Sequence, residues 1–204
     1  TNSIPPHTHT LNLAGEPLPP TLVTRLHHHP TLTTIHNLYG PSEDTTYSTH
    51  ATTNPHHHRT PIGTPLPGTT THILNHKLQP QPLGTIGELY LSGHGTTRGY
   101  HNQPTHTATH YLPNPHHPHQ RLYRTGDLAR WRTDGQLDYH GRTDNQTKIH
   151  GHRIEPAEIE TTLRQHPHIT DTTITTHHHN NQPQLTAYIT TTQPTNPTHI
   201  TNWL

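Results

Sequence analysis

Two short stretches carry side chains that could act together on a phosphorylated, hydroxyl-bearing ligand. In the first, His36 to His50 (HNLYGPSEDTTYSTH), an aromatic ring (Tyr39), a residue without a side chain (Gly40), a hydroxyl (Ser42) and a carboxylate (Glu43) fall within five positions. A ring can stack on a purine, a glycine lets a flat ligand approach the backbone, and a hydroxyl with a carboxylate suits a phosphate and Mg2+. The same letters also read as a plain strand running into a Gly-Pro turn, so the motif alone leaves both readings open. In the second stretch, Tyr123 to Glu160 (YRTGDLARWRTDGQLDYHGRTDNQTKIHGHRIEPAEIE), Gly126, Asp127, Gly135, Gly141 and Asp144 mark tight polar turns between short strand-like pieces such as Gln136 to Tyr139. A carboxylate fixed at such a turn accepts two hydrogen bonds at once, as the adjacent hydroxyls of a ribose require, although an Asp after Gly commonly caps its own turn. Further on, Lys148, His150, His152 and Arg153 gather around Gly151. That basic loop suits a phosphate and equally a solvated hairpin.

The elements that must hold these residues follow from periodicity and turn chemistry. Leu11 to Gly15 reads as a short buried strand with Glu16 at its mouth, and Pro19-Pro20 opens a helix that puts Leu22, Val23 and Leu26 on one side before His27 to Pro30 end it. Thr34 to Tyr39 is the next strand and runs into Gly40-Pro41. Strand, helix, strand favours parallel pairing in an α/β layer. Residues 51 to 83 read as loops between short strands, and Gly87 to Gly93 alternates as a half-buried strand. The following GHGTTRGYHNQPTHTATHYL looks Gly-rich, but no Lys-Ser/Thr follows, so a turn-rich packing segment is the better reading than a phosphate loop. Glu155-Pro156 opens a second helix, with Glu158 near its positive end and Ile159 and Leu163 on one face, stopped by Pro167. Strands near Ile169 to Thr176 and Gln184 to Thr190 and a helix-like Ile200 to Leu204 complete a small α+β unit.

YRTGDLARW, DGQLDYHGRTDNQTKIHGHRIEPAEIE and NLYGPSE together closely resemble the adenylation domains of nonribosomal peptide synthetases, within the adenylate-forming enzymes. In NLYGPSE, Ser42 stands where the family usually has Thr and keeps the hydroxyl. The resemblance implies the C-terminal portion of such a domain: residues 1–143 as the end of the large subdomain, α/β with a β-rich part, and 144–204 as hinge and incomplete small α+β subdomain. It implies ATP and Mg2+, with Asn37 at the adenine amine, Tyr39 stacked on the ring beside Gly40, Ser42 at the α-phosphate, Glu43 as metal ligand, and Asp127 with Arg142 at the ribose. Asp144 becomes the pivot of the small subdomain, Lys148 and Gly151 line the face shown to a carrier's pantetheine arm, and Arg153 meets phosphate or stabilises the closed form. The implied reaction joins an amino acid to AMP and passes it to a carrier-protein thiol. Asn12, Ala14, Leu38, Thr46 and Tyr47 resemble positions lining the amino-acid pocket. The family's phosphate loop and late catalytic Lys have no counterpart here, so the 204 residues alone are expected to be inactive.

Composition bounds the remaining classes. Lys plus Arg (12) equals Asp plus Glu (12), which gives no basic field for nucleic acid or anionic lipid. No apolar run approaches a membrane span and no signal opens the chain, so a cytoplasmic setting is expected. A first residue other than Met and an uncapped end read as a piece of a longer protein. Hydrophobic residues are only 24%, against roughly 45–50% in an average domain, while 28 His, 22 Pro and many Thr take their place. Thr in a Val-shaped site buries a hydroxyl, as in DTTITTHHH (Asp171 to His179), which weakens a core and fits a source of biased composition or a decaying copy. The alternatives are an acyl-CoA synthetase-like relative, a metal-binding protein using His27 to His29, His56 to His58 and His177 to His179, and a noncatalytic remnant.

Overall fold

The computed structural model describes residues 4–149, 151–179 and 182–204. The chain divides into two compact units, Thr1–Thr143 and Asp144–Leu204.

The first unit begins with β1 (Thr10–Ala14), helix α1 (Pro20–His27) and β2 (Thr34–Tyr39). β1 and β2 are parallel, with Thr10 opposite Thr34 and Ala14 opposite Leu38. Parallel neighbours need a crossover, and α1 supplies it. Pro20 sits in its first turn, where a missing N–H costs nothing. Val23 and Leu26 face inward, and Leu26 packs with Leu32 and Ile35 beside Leu11 and Leu13. The chain then reverses through β3 (Thr49–Thr52) and β4 (Thr64–Pro65), giving the sheet order β1-β2-β3-β4.

A second, antiparallel sheet holds β5 (Thr69–Leu74), β6 (Gly87–Gly93), β7 (Tyr111–Pro113), β8 (Arg121–Trp131) and β9 (Leu137–Arg142), with α2 (Pro104–His110) before β7. Its order is β5-β6-β8-β7, and β9 also pairs with β8. β5 is one of the short strands expected between the loops of residues 51–83, although the sequence does not mark its bounds. Its TTTHIL sequence hides strand propensity behind hydroxyls, and six paired positions on β6 supply the order. The Gly-rich segment likewise contains α2, which hydropathy does not announce because none of its residues is buried. Asp127 differs too: it lies inside β8 and not at a turn. Gly126 has φ 74° and the β8–β9 register shifts between Asp127 and Ala129, so the feature read as a turn is a bulge that re-aims a strand residue.

The segment at Thr60–Gly63 ties the two sheets. Ile62 donates to the Leu137 carbonyl, Leu137 donates to that of Gly63, and the buried Thr49 hydroxyl donates to the Ile62 carbonyl. Ile62 then joins Ile73, Leu89, Leu91, Tyr111, Tyr123 and Leu137 in the main core, with Tyr39, Tyr100 and Tyr139 packed against it. The aromatic residues of both motifs therefore converge on one core.

The second unit contains a hairpin, β10 (Thr147–Ile149) and β11 (His152–Ile154), then α3 (Pro156–Arg164), paired strands β12 (Ile169–His179) and β13 (Gln182–Thr191), and α4 (Pro197–Thr201). Leu163 of α3, Ile169, Ile174 and Ile200 make its core, with Ile159 and Leu185 beside them. α4 starts before the expected Ile200, because the Asn196 side chain accepts from Thr198 N–H and caps it. Among the described residues no helix is long and apolar enough to cross a membrane.

Candidate functional site

The site is built where β2 ends. Tyr39 is its last residue, held by Ser48 N–H on its carbonyl, and its phenol crosses to Asp127, donating to Oδ2 at 2.5 Å. Asp127 Oδ1 accepts from Arg142 Nη1 at 2.8 Å, and Arg142 is its register partner on β9. Asp127 N–H donates to the Thr125 hydroxyl, which itself donates to the Leu89 carbonyl, so the backbone at the bulge is fixed as well. Asp127 is buried, and burial followed by the Asp127 charge pushes the Tyr39 phenol well above its ordinary pKa. A carboxylate has about four acceptor directions, and these two bonds use one on each oxygen. The ring of Tyr139 lies 6.5 Å from that of Tyr39, centroid to centroid.

Four residues beyond Tyr39, a 3-10 turn at Ser42–Asp44 carries the second acid. Glu43 is buried, and its Oε1 accepts from the Tyr100 phenol at 2.8 Å, while burial and then Glu43 raise the Tyr100 pKa. Ser42 is exposed at the start of the turn. Four residues of chain reach at most about 14 Å, so Tyr39, in contact with Asp127, bounds how far Glu43 can lie from that acid.

The sequence-derived site residues fall as follows. Tyr39, Asp127 and Arg142 are in direct contact; Glu43 and Ser42 follow on the same chain turn. Asn37 is buried in β2 and its amide donates to the Pro61 carbonyl at 2.8 Å, joining the two sheets. Gly40 is required by the protein itself: a Cβ there would lie 2.6 Å from the Thr46 carbonyl oxygen and 2.7 Å from Ser48 N. Thr143, the last residue of the first unit, donates both N–H and hydroxyl to the Gly126 carbonyl. Asp144, exposed, opens the second unit and accepts from Gln146 N–H. Lys148 lies directly opposite Arg153 in the β10–β11 hairpin, and Arg153 pairs with Glu155 at 3.3 Å. Gly151 takes φ 79° in the connecting turn, where a side chain would be strained. His150, expected in this basic loop, lies outside the described residues.

Sequence reasoning missed Tyr100, Tyr139 and Asp44. Tyr100 reaches Glu43 across 57 positions, a spacing that carries no local signal, whereas two adjacent acids in one short turn were a visible cue for Asp44. Asp44 is 1% exposed and accepts from Ser48 and Thr96 hydroxyls at 2.7 and 3.1 Å.

The donor set fits Mg2+ bound through a nucleotide. Among the described residues no three His, Cys, Asp or Glu side chains converge, so His27 to His29 and His56 to His58 form no metal cage; the side chains of His178 and His179 lie outside the described residues. One carboxylate completed by phosphate oxygens and water is the usual way Mg2+ is held. Asp127 already accepts a hydroxyl donor, the kind of bond a ribose would make.

Comparison with known proteins gives the family. The family described as AMP-binding enzyme matches residues 4–101. Linear gramicidin synthase of Brevibacillus parabrevis has a polypeptide 52% identical over 173 residues, 83% of this chain and 3% of that protein. AMB antimetabolite synthetase AmbB of Pseudomonas aeruginosa is 46% identical over 171 residues, covering 82% of this chain and 14% of that protein. The chain thus spans a small part of these relatives' length. Among solved structures, PA1221, described as an NRPS protein containing adenylation and PCP domains, superposes with a TM-score of 0.83 at 30% identity, over 96% of this chain and 41% of that one. The chain belongs to the AMP-binding, adenylate-forming enzymes, and within them it corresponds to the C-terminal portion of a nonribosomal peptide synthetase adenylation domain.

Proposed function

We propose that this segment works inside a longer chain as one wall of an ATP site that activates an amino acid as its adenylate and passes it to a carrier-protein thiol. The observation that carries the reading is the Tyr39–Asp127–Arg142 cluster, joined by four residues of chain to Glu43. In this reading Asp127 accepts the ribose hydroxyls, with Arg142 holding the carboxylate ionised and aimed. Tyr39 gives up its bond to Asp127 or shares it, and offers its ring to the base. Ser42, exposed on the turn, donates to the α-phosphate, and Glu43 would hold Mg2+, which when bound would supply neutralisation of phosphate charge. The amino acid carboxylate attacks the α-phosphorus and pyrophosphate leaves. The thiol of a carrier's pantetheine arm then displaces AMP, giving a thioester.

Residues 1–143 are proposed as the end of the large subdomain and 144–204 as hinge and part of the small one. The Thr143 bonds to Gly126 clamp the sheet to its last residue, and Asp144 follows in an exposed bend, where backbone rotation breaks no ladder bond. Lys148 and Arg153 are register partners in the hairpin, with Glu155 already beside Arg153, and an anionic ligand there would meet Lys148. Amino-acid-dependent ATP–pyrophosphate exchange by the full-length chain tests the function. Exchange is expected, lost with Glu43→Gln and Asp127→Ala, and absent from the isolated 204 residues. A full-length chain that binds Mg-ATP yet exchanges with none of the common amino acids would refute it.

A further inference from the structure

The turn that carries Glu43 is docked on the loop after β6 by more bonds than a turn needs to hold itself. Asp44 accepts from Ser48, four residues on, which is local and would suffice as a cap. It also accepts from the Thr96 hydroxyl, 52 positions away, at 3.1 Å. Around that bond Thr97 N–H donates to the Glu43 carbonyl at 2.8 Å and the Thr45 hydroxyl donates to the Gly95 carbonyl at 2.6 Å. The approach is close enough that a Cβ on Gly95 would lie 3.0 Å from the Asp44 carbonyl oxygen.

Two features make this costly as mere structure. Asp44 is 1% exposed, and among the described residues it has no cationic partner, so only hydroxyls offset the burial of its charge. Thr45 and Thr46, which follow it, take φ 52° and 79°, a left-handed backbone that strains β-branched residues. A segment held in an unfavourable backbone shape beside a buried charge is over-determined by its surroundings, as binding loops often are.

We propose that Asp44 is a positioning residue: by clamping the Ser42–Asp44 turn to Thr96, it sets at once the direction of the Glu43 carboxylate towards Mg-ATP and the path of Thr46 and Tyr47 along the amino-acid side. Both Asp44 oxygens point at Ser48 and Thr96, so it acts through its neighbours and touches neither ligand. The inference rests on the nucleotide-site reading above and adds to it a coupling: one buried carboxylate orders both sides of the site.

The test uses the full-length chain with Thr96→Val, which removes the long-range donor at constant shape, and Thr96→Ser, which restores it. Calorimetry gives ATP affinity with Mg2+ and with EDTA, and exchange kinetics give the KM for the amino acid. Thr96→Val is expected to weaken Mg-ATP binding by about fivefold or more and raise the amino acid KM with it, while metal-free binding, which leans on Asp127, changes by less than about twofold. Thr96→Ser is expected to stay within about twofold of wild type in all three. Should Thr96→Val lose its cooperative melt, Thr96→Ala, which removes the same donor without filling its place, is used with the same expectations. Equal losses with and without Mg2+ would make Asp44 a structural clamp only and overturn the proposal, as would a folded Thr96→Val that binds Mg-ATP and amino acid normally. Failure of wild type to bind Mg-ATP would instead overturn the nucleotide-site reading, and the proposal with it.

Discussion

Replacing Thr172 or Thr71 by Val should stabilise this protein, whereas the same change at Thr49 should destabilise it. All three are buried strand residues, exposed by 2%, 8% and 0%, and Val has nearly the same shape. They differ in one atom. The hydroxyls of Thr172 and Thr71 are buried without a hydrogen-bond partner, while that of Thr49 donates to the Ile62 carbonyl at 2.5 Å. A buried unpaired hydroxyl costs about 1–3 kcal/mol, and the methyl that replaces it adds apolar burial, so each of the first two changes should gain about 1–2 kcal/mol. Thr49→Val forfeits its bond and strips a partner from a buried carbonyl, for a loss of about 1–3 kcal/mol. A change of 1 kcal/mol moves the melting temperature by about 2–4 °C in a unit the size of the first and by about 4–8 °C in one the size of the second. Calorimetry on the isolated chain reads the shifts, and its two tryptophans, Trp131 in the first unit and Trp203 in the second, tell by fluorescence which unit has moved. Thr71→Val should act on the Trp131 transition and Thr172→Val on that of Trp203. If all three variants shift the same way, the link between hydroxyl bonding and stability in this Thr-rich core is wrong.

Other expectations rest on backbone and charge. Thr46→Gly relieves φ 79° and should raise stability by up to about 1 kcal/mol after the added unfolded-state entropy, whereas Thr45→Gly also loses the bond to Gly95 and should gain nothing; urea midpoints separate them. Gly63→Ala should abolish folding of the first unit, because its Cβ would fall 1.8 Å from the His50 carbonyl oxygen; Gly135→Ala, at φ 78° with open space around it, should cost only about 1 kcal/mol, as circular dichroism melts would show. The pKa of His72 is lowered by burial and then by His116 and His117, and that of His140 by burial and then by Arg59 and Arg130 against the opposing pull of Asp138. The unfolded chain therefore binds more protons just below the ordinary 6.5, so stability is full above it and falls as pH drops through the window beneath it. The melting temperature should decline on acidification in that range, less steeply in His72→Gln; a rise would contradict the assignment.

What the amino-acid sequence reveals of this fold depends on whether a residue's setting is local or long-range. β1, α1, β2 and α3 could be read because apolar spacing and Pro positions are local signals. The bounds of β5 and the presence of α2 could not, since Thr and His replace the apolar letters that periodicity needs and long-range pairing does the ordering. At the site, the types at Tyr39, Glu43 and Asp127 were visible, but their setting was not. Asp127 sits on a strand bulge because of β9 pairing, and Asn37 turns to Pro61 because the sheets meet there. Gly40 makes room for the protein's own residues 46–48, a contact no spacing rule contains.

In the proposed site Asp127 receives the ribose of the nucleotide whose metal Glu43 would hold. Calorimetric binding of ATP and of 2′,3′-dideoxy-ATP to the full-length chain and to its folded Asp127→Ala variant measures that contact alone. Wild type should favour ATP by about tenfold or more, and Asp127→Ala should bind the two nucleotides within about twofold of each other. A variant that still discriminates between them as strongly as wild type would place the ribose elsewhere and contradict the account.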